Sequence, residues 1–177
     1  MGKKSVSELA EQIAAVEGIL VADGESQIAR GCQHLYRCEN HAIRAATNLF
    51  KTSGYHVEHI TCLDLRSDDD GGCMRIAYQF NRHGAPERHL LLVDLAPGTH
   101  GVTISDIFQG AGWYEREVFD MHGVVIDDHP DLRRLLMPED YTGHPLLKDF
   151  TDEDPERHIM AAPMPAAEVP AEVEGDG

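Results

Sequence analysis

The chain has no run of 18 apolar residues, so no part of it is long enough to cross a bilayer as a helix. Positive charge is scarce too: 15 Lys and Arg stand against 31 Asp and Glu, for a formal charge of −16. The basic residues are scattered, which argues against nucleic acid or an anionic membrane surface as partner, since both need clustered cations. A basic neighbouring protein suits such a chain better, and contact with a membrane is expected only indirectly, through partners. Cysteine is sparse: Cys32, Cys38, Cys62 and Cys73 include no Cys-x-x-Cys pair, so neither a zinc ribbon nor an iron–sulfur ligand run is readable. A Cys32–Cys38 disulfide would need an oxidising compartment that nothing else supports, and all four thiols read as reduced and structural.

Phosphate cradles are missing: there is no Gly-x-Gly-x-x-Gly and no Gly-x-x-x-x-Gly-Lys, and Gly71-Gly72 and Gly110-Ala111-Gly112 read as turns. There is no Gly-x-Ser-x-Gly elbow, and no Cys has a His in a context that suggests a nucleophile. A chain without its own cofactor is the natural inference. The start, Met1-Gly2-Lys3-Lys4, leads into an amphipathic helix instead of a secretory leader, and Val6 stands where a myristoylation motif wants Ser or Thr, so a cytoplasmic protein is expected.

What is present suffices for one ordinary domain with tails, able to bury roughly 70% of its unfolded surface. Ser5 and Glu8 form a capping-box pattern before Val6, Leu9, Ile13 and Val16 at helical spacing, and Gly18 ends the helix. Ile19-Leu20-Val21 reads as a short strand before the turn Asp23-Gly24, and Gln27 to Tyr36 is open between strand and irregular chain. Asn40 can cap a second helix with Ile43, Ala46, Leu49 and Phe50 inward, stopped by Ser53-Gly54. Tyr55 to Leu65 is strand-like. The acidic loop Ser67 to Gly72 separates it from Met74, Ile76, Tyr78 and Phe80, whose alternation marks a half-buried strand. Asn81 to Pro86 is expected to turn, Leu90 to Leu95 to form a central strand, and Thr103 with Asp106 to cap a short helix through Phe108. The order predicts an α+β fold, with helices packed on one face of a mainly antiparallel sheet, followed by an extended C-terminal strip. Residues 1–112 read as the globular part, 113–150 as a charged helix and strip, and 151–177 as an acidic Pro/Ala-rich tail with eight acidic residues and one Arg.

The stretch from Trp113 to Phe150 carries most of the information. A charged helix through Glu115, Arg116, Glu117 and Asp120 stops at Gly123, and an extended strip punctuated by Pro130, Pro138, Gly143 and Pro145 follows. Arg116 and Asp120, four apart, are expected to pair, beside an apolar stripe of Tyr114, Val118 and Met121. Adjacent Arg133 and Arg134 in extended chain should point to opposite sides, one inward to Glu115, Glu117 or Asp120 and the other outward. His129 and His144 precede prolines and are held extended. His122, at the helix C-terminus, would favour the dipole if protonated.

Glu115-Arg116-Glu117, His129-Pro130-Asp131-Leu132-Arg133-Arg134 and Gly143-His144-Pro145-Leu146-Leu147-Lys148-Asp149-Phe150 follow in this order. They resemble the 30 kDa subunit family of proton-pumping NADH:quinone oxidoreductase, known in bacteria as respiratory complex I. Related subunits occur in group 4 membrane-bound nickel–iron hydrogenases and formate hydrogenlyases. The chain departs from the family pattern at His122, usually aromatic, Asp128, usually Gly, and Leu147, usually Arg. The resemblance implies the same α+β fold and a non-catalytic peripheral-arm subunit on the cytoplasmic side of the inner (cell) membrane. It implies a 49 kDa-type large subunit and iron–sulfur subunits as partners. Iron–sulfur clusters, with flavin or nickel–iron, would then sit in those partners. Its interface would use Glu115, Arg116, Glu117, Asp120, His129, Pro130, Asp131, Arg133, Arg134, His144, Pro145, Lys148, Asp149 and Phe150. The rival from another class is a stand-alone metalloenzyme using Glu117, Asp120, His122, His129 and His144. It lacks the repeated Glu-x-x-His pairs of di-iron bundles.

Overall fold

The computed structural model of the protein describes residues 6–22, 31–67 and 72–152. Helix α1 (Val6–Ala14) is followed by strands β1 (Ile19–Ala22) and β2 (His34–Cys38), then helix α2 (Ile43–Thr52). Strands β3 (His56–Asp64), β4 (Met74–Arg82) and β5 (Ala85–Leu95) form a meander. Strand β6 (Gly101–Val102), helix α3 (Ala111–His122) and strand β7 (Ile126–Asp127) complete the elements. The main sheet runs β1-β2-β5-β4-β3 and is antiparallel except where β2 lies parallel to β5. This is an α+β fold. The short β6–β7 pair is a separate parallel sheet.

Alternation decides which face is buried. Met74, Ile76, Tyr78 and Phe80 lie level with Leu95, Val93, Leu91 and His89, with Ile60 and Cys62 beside them on β3, and all are buried. Leu9 and Ile13 of α1, Ile43, Ala46 and Phe50 of α2, and Ala111 and Val118 of α3 share one core with that face, together with Val124 and Ile126. On the opposite face Arg75 and Arg37 both grip Asp94, and Leu90 and Leu92 stay half-buried.

Several local expectations are corrected. Asn40 does not cap α2: it opens a 3-10 turn (Asn40–Ala42) and its amide donates to the His100 carbonyl at 2.9 Å. No helix runs from Thr103 to Phe108. The Ser105 amide donates to Thr103 Oγ1, a local bond that competes with helix, and Asp106 is held by Arg44 at 2.6 Å instead of reaching back. The turn expected over Asn81 to Pro86 shrinks to His83-Gly84, because β4 continues to Arg82 and β5 begins at Ala85. Ser5, Asp23-Gly24, part of the Gln27–Tyr36 stretch, the acidic loop at 68–71 and the tail beyond Asp152 lie outside the described residues. The four cysteines are free thiols, with Cys38 and Cys62 pushed up to about 12 by burial.

After β7 the chain turns back along α3. Asp128 adopts φ 61 there, and Leu146 donates its amide to the Met121 carbonyl, capping the end of the helix with strip backbone.

Candidate subunit interface

Helix α3 ends at Gly123, whose φ of 70 completes a left-handed C-cap with its amide on the Phe119 carbonyl. A Cβ at Gly123 would stand 2.7 Å from His144, so glycine is needed for both the turn and the close approach. The helix aims its charged residues in three directions, and each direction has a different chemistry.

Inward lies Glu115, 1% exposed. Its carboxylate accepts from the Thr103 hydroxyl and from the Ile104 amide at 2.7 Å, with His129 Nε2 at 3.7 Å. Burial raises its pKa, and the Ile104 amide and the Thr103 hydroxyl partly offset that. His129 is satisfied on both nitrogens: Nε2 donates to the Gly112 carbonyl at 3.1 Å, and Nδ1 accepts from the Asp131 amide at 3.0 Å. Glu115 and His129 thus lock the start of the strip onto the start of α3.

Towards the strip lies Asp120, fully buried. Oδ1 takes Arg134 at 2.7 Å, and Oδ2 accepts the successive amides of Leu135, Leu136 and Met137 at 2.9, 2.7 and 2.9 Å. Burial alone would raise the pKa of this carboxylate. The Met137 and Leu136 amides, Arg134 and the Leu135 amide outweigh burial and hold it low. Arg134 also reaches the Gly143 carbonyl at 3.0 Å, and His144 Nδ1 donates to the Asp120 carbonyl at 2.9 Å. One carboxylate therefore gathers three amides and a guanidinium.

The pairing expected between Arg116 and Asp120 does not form. Arg116 instead spans the gap to the strip, donating to the Arg133 and Arg134 carbonyls at 3.1 and 2.7 Å while its guanidinium lies 5.3 Å from the Trp113 ring centre. Asp120 is already saturated by a partner that the sequence spacing could not reveal. Arg133 and Arg134 do split to opposite sides: Arg134 turns onto Asp120, and Arg133 points to solvent beside Asp131 at 3.0 Å. Glu117 is half-buried and has no hydrogen bond or ion pair among the described residues.

The end of the strip is held by a second hub that the motif did not flag. Asp64 closes β3 and accepts from Arg66 Nε at 2.9 Å and from the Lys148 amide at 2.9 Å, while Arg66 also binds Asp149. The Arg66 guanidinium holds the Asp64 carboxyl well below the usual range. A signal existed: Asp64 continues the inward positions Ile60 and Cys62, where a charge needs a buried partner. Phe150 lies against Gly143, where a Cβ would stand 2.7 Å from its ring. Pro145 is half-buried, and Pro130 and Lys148 are exposed.

Glu117, Asp120, His122, His129 and His144 do not converge as ligands. Asp120 and His129 are committed to amides and carbonyls. His122 is buried, with Nδ1 lacking a partner among the described residues. Burial holds its pKa below the usual value, so the reading of a charged imidazole at the helix dipole is corrected. Trp113, Leu136 and Leu146 are the large apolar side chains left exposed along α3 and the strip, at 62%, 62% and 54%.

The family described as respiratory-chain NADH dehydrogenase, 30 Kd subunit, matches residues 36–156. The C-type NADH-quinone oxidoreductase subunit of Geobacter metallireducens is 39% identical over 101 residues, covering 54% of this chain and 62% of that protein. The J-type NAD(P)H-quinone oxidoreductase subunit of a Synechococcus strain is 42% identical over 81 residues, covering 46% of this chain and 36% of that protein. The match thus spans less than two thirds of these curated relatives. Among solved structures, a chain from the membrane-bound sulfane sulfur reductase (MBS), an archaeal respiratory membrane complex, shares the fold with a TM-score of 0.67 at 18% identity, covering 87% of this chain and 88% of that one.

Proposed function

Because the chain belongs to the 30 kDa subunit family of the respiratory-chain NADH dehydrogenase, we propose that it is a non-catalytic peripheral-arm subunit of a complex I-like, membrane-bound oxidoreductase of the NADH:quinone type. The observation that carries this reading is the Asp120 hub. A buried carboxylate spends its acceptor capacity on fixing strip backbone, which leaves Trp113, Arg133, Glu117, Leu136 and Leu146 facing outward on a rigid support. Exposed tryptophan and arginine on a fixed surface are the residue types that anchor interfaces. The 49 kDa-type large subunit and the iron–sulfur subunits are the partners, and the clusters, with flavin or nickel–iron, reside in them. The chain lies on the cytoplasmic side, attached to the membrane through the complex. No helix among its described residues is long and apolar enough to cross a membrane.

Its task is positional. Electron transfer and quinone chemistry depend on fixed distances, and a clamp across two neighbours keeps those distances constant. The test is gentle purification of the tagged chain from its host, with iron, nickel and flavin measured in what accompanies it. Iron with flavin and without nickel is expected. Iron with nickel would instead assign the equivalent small subunit of a group 4 hydrogenase, and a lone metal-free chain would overturn the assembly.

A further inference from the structure

Away from the strip, the parallel pairing of β2 and β5 sets His34 level with His89, and Glu87 lies two residues back along β5, so all three side chains share the inner face. One donor atom from each lies within 4.8 Å of the others. His34 Nε2 and His89 Nε2 approach the same oxygen, Glu87 Oε1, at 3.3 and 3.0 Å. Glu87 is 5% exposed and His89 is fully buried. Neither the strip nor any motif in the sequence uses this group.

Outer contacts already orient the donors. Tyr55 donates to Glu87 Oε2 at 2.7 Å, and the Tyr36 hydroxyl lies 3.2 Å from His89 Nδ1. Ligand sites are characteristically held this way, through the ligand's other polar atom. Burial and the neighbouring His34 lower the pKa of His89 to about 4, so its imidazole is neutral near pH 7. Arg82 sits 3.7 Å from Oε2, the oxygen turned away from both imidazoles, and balances the carboxylate from behind. An open groove of about 650 Å³, lined by Gln33, His56, Arg82 and Glu87 among others, leads from solvent to the carboxylate.

We propose that His34, Glu87 and His89 form a binding site for one divalent transition-metal ion, Zn²⁺ in particular, with water in the fourth position. Two imidazoles and a carboxylate with an open position suit zinc, and imidazole donors disfavour calcium and magnesium. The two imidazoles stack with centroids 4.4 Å apart and planes 19° from parallel, so one ring must turn for both Nε2 lone pairs to meet an ion. His34 is the one that turns, since its side chain is 29% exposed, whereas His89 is packed against Phe50 and Tyr55. With Nε2 on the metal, His89 carries its proton on Nδ1, where the Tyr36 oxygen accepts it. The ion then bridges β2 and β5 at the one parallel pairing of the main sheet.

The test uses the untagged full chain, stripped of metal, re-exposed to Zn²⁺ and desalted. Wild type is expected to keep one zinc per chain and to unfold at higher temperature with zinc than without. His34→Ala and the isosteric Glu87→Gln should lose that zinc and that shift while keeping the metal-free melting temperature and circular dichroism of wild type. Tyr36→Phe should weaken binding by roughly tenfold or more. His41→Ala, which alters an exposed histidine outside the site, should change nothing. Zinc retained by Glu87→Gln or His34→Ala at the wild-type level would overturn the proposal, as would a wild type that keeps none.

Discussion

At the scale of single residues, buried carboxylates do more than the arginines that drew notice in the sequence. Asp120→Asn places an amide donor against Arg134 or against three backbone amides, and leaves a buried guanidinium without its counter-charge. We expect a loss of about 3 kcal/mol in urea unfolding. Asp128 offers the opposite case. Its φ of 61 lies in the left-handed region that glycine adopts freely and other residues adopt at a cost. Asp128→Gly should raise stability by roughly 1 kcal/mol, readable as a higher midpoint in the same experiment. That backbone conformation also accounts for the glycine usual at this position in the family pattern.

At the scale of elements, the strands were the most legible part of the sequence. Met74, Ile76, Tyr78 and Phe80 alternate because one face meets a core, and that pattern survives in the chain. The order of helices and strands was readable for the same reason. What stayed hidden was decided by contacts distant in sequence: Asn40 finds the His100 carbonyl, and Asp120 finds amides 15 to 17 residues ahead. The parallel pairing of β2 with β5 left no local mark either. That pairing buries His89, whose folded pKa of about 4 is below its unfolded value near 6.5. A histidine with a depressed pKa is protonated first in the unfolded chain. Its contribution to stability is therefore complete above pH 6.5, declines as pH falls towards 4 and is constant below. Metal-free melting temperatures across pH 7 to 4 should fall in that window, and His89→Gln should flatten the fall.

At the scale of the whole molecule, stability and assembly should separate. Glu117 has no partner among the described residues and Arg133 is mostly in solvent, so neither is needed to fold the chain. Glu117→Ala and Arg133→Ala are expected to melt within about 0.5 kcal/mol of wild type. Both should lower the amount of assembled complex on a native gel, and full assembly of both variants would count against the proposed role of this surface.

The parallel pairing also orders events in time. It joins positions 34 and 89, whereas β3, β4 and β5 join through successive hairpins. Closing a long loop costs entropy before any contact rewards it, so local pairings form ahead of distant ones. The three-stranded meander should gain protection first in pulsed hydrogen exchange during refolding, with β1 and β2 following as a later unit. A nascent chain could then complete its sheet edge only after β5 has left the ribosome, with half of the molecule already made.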